Sequence, residues 1–151
     1  MSVESLSPAG WVNIVSEGFG ANALILLLMV LAKSESDSFI LIEEPEIHLH
    51  PRAQAELASV LVDEAKANEK QLIITTHSEH FLGRLLTLVA EGSLSSDDLA
   101  VYAFEKDDQG ICSAQNLDVT DEGRIKGGVK GFFEADLDEL ERYIKALQDD
   151  E

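Results

Sequence analysis

The feature that most constrains this chain is an uninterrupted apolar run at 39–42, Phe-Ile-Leu-Ile, that is followed at once by Glu43 and Glu44. A short apolar run after a polar loop predicts a β-strand covered on both faces, as in a parallel sheet. A pair of carboxylates directly after a buried strand is unfavourable, because burying a charge without a partner costs several kcal/mol. Such a pair is therefore expected to have a function.

A second covered strand is predicted at 71–75, around the apolar Leu-Ile-Ile at 72–74, and Thr76 and His77 follow it. The helical spacing of apolar residues from Pro51 to about Asn68 predicts a helix between the two strands, with the proline at its first position. Two strands that each end in polar residues and lead into a helix indicate the βαβ unit of a parallel sheet. Ligands of open α/β sheets bind beyond the carboxyl ends of the strands, so a site is expected there.

The remaining segments predict a mixed α/β fold class, with a partly parallel sheet flanked by helices and a peripheral β-hairpin. An apolar helix at 21–33 precedes the first strand, and Ser78 is the expected N-cap of the helix after the second strand. The length of 151 residues is that of one domain. Within it we predict a motif-bearing core at 15–92, a β-hairpin at 99–117 and a C-terminal helix at 132–148.

The charge of the chain argues against a large nucleic-acid surface. Lys and Arg number 11 and Asp and Glu 29, so the formal net charge is -18, and the acids are dispersed along the sequence. Affinity for nucleic acids comes mainly from basic side chains that neutralise phosphates. A DNA contact would therefore need a local basic patch or another chain.

Cysteine content and hydropathy predict a cytoplasmic chain that does not enter membranes. Cys112 is the single cysteine, which excludes an intrachain disulfide and a multi-cysteine zinc site and fits a reducing compartment. The longest apolar run, at 21–32, is broken only by Asn22 and is about half of the ~20 residues that span a bilayer. The N-terminal residues lack the basic segment of a secretory signal, so a cytoplasmic location is expected.

The residues behind the two predicted strands suit phosphoryl transfer from a nucleotide to water. Glu43 would help to hold Mg²⁺ through water ligands, and the metal would neutralise charge on the phosphate oxygens. Glu44 leaves the strand in a different direction and would polarise the attacking water. His77, behind the neighbouring strand, would donate a hydrogen bond to the transferred phosphate.

The same segment allows a different interpretation. Residues two apart point the same way on an extended segment, so His48 and His50, with Glu44 and Glu46, would form a small zinc or manganese site. Such a site would support direct metal-dependent hydrolysis.

Two segments resemble motifs of one protein family. The segment 39–51, which ends in Glu-Glu-Pro-Glu-Ile-His-Leu-His-Pro, resembles the Walker B strand, catalytic glutamate and D-loop of ABC-type ATPases of the soluble AAA or SMC-like group. The segment 73–78, Ile-Ile-Thr-Thr-His-Ser, resembles the switch-histidine segment of the same group. The resemblance spans roughly residues 13–147. It implies an ATP-hydrolysing head that uses ATP and Mg²⁺, with Glu44 and His77 as catalytic residues.

The resemblance also implies a second set of residues at the nucleotide. The segment 16–20, Ser-Glu-Gly-Phe-Gly, stands in the place of the ABC signature loop. Ser16, Gly18 and Gly20 are therefore expected to meet a nucleotide held by the opposite subunit, where the helix N-terminus adds positive potential. His50 stands in the D-loop, where transporters have an aspartate, and is expected near the same nucleotide. Such a site implies a two-fold homodimer of heads.

One motif of the family is absent from the sequence. The loop Gly-x-x-x-x-Gly-Lys-Ser/Thr holds the β and γ phosphates in such ATPases, but no glycine of this chain is followed by lysine. We therefore interpret the chain as the C-terminal half of an ATPase head. It is expected to be inactive without the half that carries this loop, the Walker A half. Nucleic acid is expected as a partner only of the complete protein. The alternative is a non-catalytic remnant that acts as a protein-interaction module.

Overall fold

The computed structural model describes residues 4–7, 10–13 and 19–129 of the chain. Ser16, Gly18 and the predicted C-terminal helix at 132–148 lie outside these residues, so what the sequence predicts for them stays a prediction.

The chain divides into two compact units, Met1–Leu85 and Leu86–Glu151. The interpretation of the chain as one domain stays a prediction. The elements that begin in the first unit are β1 (Glu4–Ser7), β2 (Gly10–Asn13), α1 (Phe19–Lys33), β3 (Phe39–Glu43), α2 (Pro51–Ala67), β4 (Gln71–Thr75) and α3 (Glu79–Ala90). Sequence patterns predict all of these except the antiparallel β1–β2 pair, whose four-residue strands are too short to produce a recognisable alternation.

Strands β3 and β4 pair in parallel, which confirms the predicted βαβ unit. Their register sets Glu43 beside Thr75, so the two strands end at the same level. One further backbone hydrogen bond, from Glu44 N to Thr75 O at 3.0 Å, extends the pairing beyond β3. Because parallel strands run in the same direction, the residues after both strands emerge at one edge of the sheet.

One face of this sheet carries the core of the first unit. Ile42 is buried there, and the partly buried Ile40, Leu72 and Ile74 pack against the same cluster. The helices supply the other side of the cluster through apolar residues that recur at helical spacing. Its buried helical members are Leu31, Leu57, Ala58, Leu61 and Phe81.

The opposite face of the sheet is largely exposed, so the prediction of strands covered on both faces is wrong for the described residues. Phe39 is 55% exposed, Leu41 70% and Ile73 48%. Exposure alternates along both strands, as expected when helices pack on one side only. An apolar run indicates that a face is suited to burial, but it does not supply the segment that would cover it. We call the exposed surface formed by Phe39, Leu41 and Ile73 the bare face.

The buried ammonium group of Lys70 fastens the start of β4 to α2 and to the end of α1. Lys70 Nζ donates to Glu64 Oε1 at 2.6 Å and to Leu31 O at 2.7 Å. Leu31 O belongs to the last turn of α1, where carbonyls lack partners within the helix. A buried ammonium needs such acceptors, because removing one partner of a buried pair leaves an uncompensated charge.

The second unit contains the predicted β-hairpin, within the predicted range 99–117. A 3-10 turn at Ser96–Asp98 leads to β5 (Val101–Lys106), which pairs antiparallel with β6 (Cys112–Leu117). Asp107 stabilises the connecting turn, because its carboxylate accepts hydrogen bonds from two backbone N–H groups of the loop, at 2.9 and 2.8 Å.

Within the described residues, none of the helices combines the length and the hydropathy that crossing a bilayer requires. The cytoplasmic location stays a prediction.

Candidate functional site

The chain turns sharply after β3, in a loop that runs from Glu44 to Leu49. Glu44 has a φ of 44° and His48 a φ of 66°, both in the left-handed region that non-glycine residues rarely adopt. Backbone hydrogen bonds from Ile47 N to Glu44 O, at 3.2 Å, and from Leu49 N to Glu46 O, at 3.0 Å, close two successive turns. Left-handed residues of this kind concentrate at functional sites, where the surrounding structure sustains the strain.

This loop brings Glu44 against His77. Glu44 Oε1 lies 3.2 Å from His77 Nε2, which is within hydrogen-bond distance. The side chain of His77 is 91% exposed and that of Glu44 26%, so the pair opens to solvent on the histidine side. The parallel register places both residues at one edge of the sheet, where the βαβ pattern predicts a site.

Glu43 stands at the end of the bare face. Because side chains alternate along a strand, Glu43 projects on the same side as Phe39 and Leu41, next to Thr75 of β4. A carboxylate and a neighbouring hydroxyl are hard oxygen donors, and such a small set suits Mg²⁺ that keeps most of its water and phosphate ligands. The residues present therefore fit the magnesium role predicted for Glu43.

The alternative metal centre is not formed. Within residues 20–129, no group of three or more His, Cys, Asp or Glu side chains is arranged to hold a metal ion. His48 has a left-handed φ and His50 begins a helix, so the segment is not the extended strand that would align the two rings. The prediction of a zinc or manganese site from His48, His50, Glu44 and Glu46 is therefore wrong.

Glu46 joins the loop after β3 to the loop after β4. It is 5% exposed, and its Oε1 accepts hydrogen bonds from Thr76 Oγ1 and from His77 N, the second at 3.0 Å. Its Oε2 is also buried and has no hydrogen-bond partner in the described part of the chain. Hydrogen bonds accepted by a carboxylate are among the strong ones in proteins, so this contact ties the two loops firmly.

Gln54 of α2 forms a second bridge between the same parts of the site. Its Nε2 donates to Leu49 O at 2.9 Å, and its Oε1 accepts from Ser78 Oγ at 2.6 Å. Ser78 Oγ in turn accepts from Phe81 N at 3.0 Å, which confirms Ser78 as the N-cap of α3. Gln54 thus links the loop after β3 to the first turn of α3.

The segment that contains both loops is similar to a known protein family. Residues 12–82 match the family model of the AAA ATPase domain. The candidate site therefore lies within the segment that is similar to the AAA ATPase domain. The match includes β3, β4 and both loops behind them, so it covers the residues from which the resemblance was inferred.

A solved structure shares the fold of this chain. It comes from work on the ATP-driven dimerization and DNA-stimulated activation of SMC ATPases, and it matches with a TM-score of 0.54 and 18% sequence identity. The match covers 74% of this chain and only 60% of the other, so this chain spans about 60% of that protein's length. The predicted AAA and SMC-like resemblance and the P-loop NTPase fold class are confirmed. A comparison with the curated proteins found no match.

Two of the predicted nucleotide-binding residues, Gly20 and His50, lie within the described residues. Gly20, in the first turn of α1, packs on the loop after β3, because a Cβ at this position would lie 2.7 Å from His48 O. His50 is the exposed N-cap of α2, and its Nδ1 accepts from Arg52 N at 3.3 Å. These contacts explain both residues structurally. Their contacts with a nucleotide stay predictions.

Sequence patterns did not predict that Glu46, Gln54 and Thr76 connect the two loops. The signal available for Glu46 was a third acid close behind an apolar strand, where a carboxylate is unfavourable unless it has partners. Gln54 gave no comparable signal, because a polar residue on an amphipathic helix usually faces solvent.

Proposed function

We propose that the chain provides the hydrolytic part of an ATPase head, which hydrolyses ATP when another segment supplies the phosphate-binding loop. The observation that carries this proposal is the 3.2 Å contact of Glu44 Oε1 with His77 Nε2, at the carboxyl ends of two parallel strands. The match of residues 12–82 to the AAA ATPase domain supports the class of reaction.

Glu44 is the residue that we assign to the attacking water. A carboxylate has about four acceptor positions on two oxygens, so its contact with His77 leaves capacity for a hydrogen bond from water. By accepting the proton as the water attacks phosphorus, Glu44 would act as a general base. Such catalysis typically contributes about 10²–10⁴-fold to a rate.

His77 is the residue that we assign to the transferred phosphate. Its ring is exposed, so a phosphate oxygen can approach it without displacing a packed side chain. The Nε2–H that faces Glu44 in the chain without nucleotide would turn to a phosphate oxygen, where an N–H is a suitable donor to the charge that develops in the transition state. The contact with Glu44 keeps the ring close to the position of the water.

Glu43, with Thr75 beside it, is the residue that we assign to Mg²⁺ through the water ligands of the ion. When bound, Mg²⁺ neutralises negative charge on the phosphate oxygens. Glu43 adjoins Glu44 in sequence but projects on the bare face, so the magnesium residue and the water-activating residue approach the phosphate from different directions.

The exposed bare face supports the proposal that another segment packs on this sheet and completes the ATPase head. Parallel strands are normally covered on both faces, yet Phe39, Leu41 and Ile73 are exposed here. Complete burial of a fully exposed side chain of this kind contributes roughly 1.5–3 kcal/mol, so each of these partly exposed side chains would contribute part of that free energy. Because the sequence contains no Gly-Lys pair, we assign this face to the polypeptide that carries the Walker A loop.

A second head would complete the nucleotide site. The similar structure comes from work on ATP-driven dimerization of SMC ATPases, which supports the same arrangement here. In a two-fold dimer, Ser16, Gly18 and Gly20 of each head would contact the nucleotide of the other head. With a net charge of -18, contact with DNA would depend on other segments of the complete protein.

The experiment that tests this proposal restores the phosphate-binding loop. The gene of this chain and its immediate neighbour are searched for a Gly-x-x-x-x-Gly-Lys-Ser/Thr segment, and the two polypeptides are produced together. We expect Mg²⁺-dependent release of phosphate from ATP, lost when the lysine of that loop is replaced by alanine. A folded complex that binds ATP and releases no phosphate would overturn the proposal.

The bare face also favours a second candidate function, that of a non-catalytic interaction module. An exposed apolar face can dock a protein partner without a nucleotide, and the sequence lacks the loop that grips phosphates. If neither the gene nor its neighbour encodes a Walker A loop, this second function explains the chain better than ATP hydrolysis does.

A further inference from the structure

The contact between Glu44 and His77 depends on how two separate loops are held together. Within the described residues, the last backbone hydrogen bond between β3 and β4 or their extensions is the one from Glu44 N to Thr75 O. Beyond this bond the first loop leads to α2 and the second to α3. Strand pairing therefore ends at Glu44 and Thr75, two residues before His77.

Glu46 continues the connection past that point. Its Oε1 accepts from the hydroxyl of Thr76 and from the backbone N–H of His77, so one oxygen holds two consecutive residues of the second loop. Thr76 Oγ1 accepts in turn from Ser78 N at 3.0 Å, which carries the connection to the N-cap of α3. Glu46 thus holds the backbone from which the imidazole projects.

The ring of His77 has little packing of its own to hold it. Because most of the side chain is exposed, its direction depends on the backbone of His77. Glu44 Oε1 and His77 Nε2 are already at 3.2 Å, and a displacement of about 1 Å would take them beyond hydrogen-bond distance. The position of this backbone therefore decides whether the pair forms.

Glu46 is not the residue that stability alone would favour at this place. Its Oε2 is buried and has no hydrogen-bond partner in the described part of the chain, and leaving a buried acceptor unsatisfied is unfavourable. An apolar side chain of similar volume would avoid that cost, but it would offer no acceptor to His77 N. The arrangement is understandable if orientation of His77 is what the glutamate provides.

We propose that Glu46 is a positioning residue, whose carboxylate holds Thr76 and the backbone of His77 so that the imidazole stays within reach of Glu44. The inference rests on the proposed function of the Glu44–His77 pair. The hydrogen bonds that carry it, however, are present without a nucleotide, so they are testable in the chain alone.

The experiment measures the coupling of Glu44 to His77 in the full chain by NMR at one pH. The ring ¹⁵N signals of His77 are compared with and without Glu44→Gln, first in the wild-type background and then in Glu46→Ala. We expect Glu44→Gln to shift these signals in the wild type and to have little effect in Glu46→Ala, where the contact is already lost. Hydrogen exchange of the His77 amide should become about tenfold faster in Glu46→Ala.

Two further variants separate positioning from folding. Glu46→Gln keeps an oxygen acceptor for both donors, so it should restore the coupling and most of the amide protection. Thr76→Val keeps the side-chain volume and removes one of the two donors to Glu46, so it should weaken the coupling in part. This variant tests the positioning role even if Glu46→Ala does not fold. Glu56→Gln, on the exposed surface of α2, is the matched control and should leave the His77 signals unchanged.

The possible failures point to different errors. Coupling that survives in both Glu46→Ala and Thr76→Val would overturn the positioning role and leave the proposed catalytic pair intact. His77 signals that do not respond to Glu44→Gln in the wild-type chain would instead contradict the contact on which the proposed function itself depends.

Discussion

Glu44 Oε1 and His77 Nε2 lie 3.2 Å apart, although each residue follows a different strand. The parallel register of β3 and β4 ends both strands at the same level, and Glu44 adopts a left-handed φ of 44° immediately afterwards. This arrangement places a carboxylate that can accept a proton beside a ring that can donate a hydrogen bond. The carboxylate belongs to the residue directly after Glu43.

Replacing Glu44 by glutamine should suppress ATP hydrolysis in the head completed by a Walker A segment. The amide keeps the shape of the side chain but accepts a proton poorly, so single-turnover hydrolysis should slow by about 10²–10⁴-fold while ATP binding is retained. Glu56→Gln removes an equivalent carboxylate from an exposed pair with Arg52 and should change neither property. Unchanged turnover in Glu44→Gln would remove this residue from the role of base.

The chain without a partner should bind Mg-ATP weakly or not at all. It contains no phosphate-binding loop, and carboxylates concentrated at the predicted site repel the triphosphate. Isothermal titration calorimetry should therefore detect no micromolar binding to the purified chain, whereas the complex with the Walker A segment should bind. Micromolar affinity of the isolated chain would show that the site is already complete.

Replacing Leu41 by glutamate should weaken association with the Walker A segment and leave the chain itself folded. The side chain is 70% exposed in the chain, so the free energy of unfolding should change by less than about 1 kcal/mol. Loss of its burial at the interface should lower affinity roughly tenfold or more. Affinity is measured by a binding titration and stability by urea denaturation.

Phe104 on β5 provides the matched control for that experiment, because it is an exposed apolar residue outside the bare face. Phe104→Glu should leave the association unchanged. Equal loss of affinity in both variants would indicate non-specific hydrophobic attraction and would contradict the assignment of the bare face.

Replacing Gly20 by alanine should destabilise the chain by roughly 1–3 kcal/mol, even though alanine favours helices. The added Cβ would lie 2.7 Å from His48 O, so α1 and the loop after β3 would have to move apart. Ala21→Ser adds one atom at the exposed neighbouring position and should have little effect. Urea denaturation measures both, and a stabilised Gly20→Ala variant would show that the close approach is not required.

Local sequence signals predicted most helices and strands of the described residues. Pro51 begins α2 and Ser78 caps α3, as their preferences at helix starts indicate, and the apolar runs form β3 and β4. These preferences depend only on neighbouring residues, so they can be recognised in the sequence without knowledge of the tertiary structure. The strand-helix-strand order then predicted parallel pairing, because a helix-length connection returns the chain to the same end of the sheet.

Two properties of the sheet and its loops were not predictable in this way. The apolar strands predicted two covered faces, but whether Leu41 is buried depends on which segment packs above it. Glu46 has its partners in a loop that follows a different strand, and no spacing in the sequence relates it to Thr76 or to the backbone of His77.

The amino-acid sequence was sufficient to recognise the AAA ATPase resemblance, the parallel pair of strands and the carboxylates and histidine behind them, because each of these depends on neighbouring residues. The contact of Glu44 with His77, the bridge through Glu46 and the bare face were settled only by tertiary structure. Each depends on distances between residues far apart in the chain, and those distances are set by strand register, left-handed turns and helix packing on one side of the sheet.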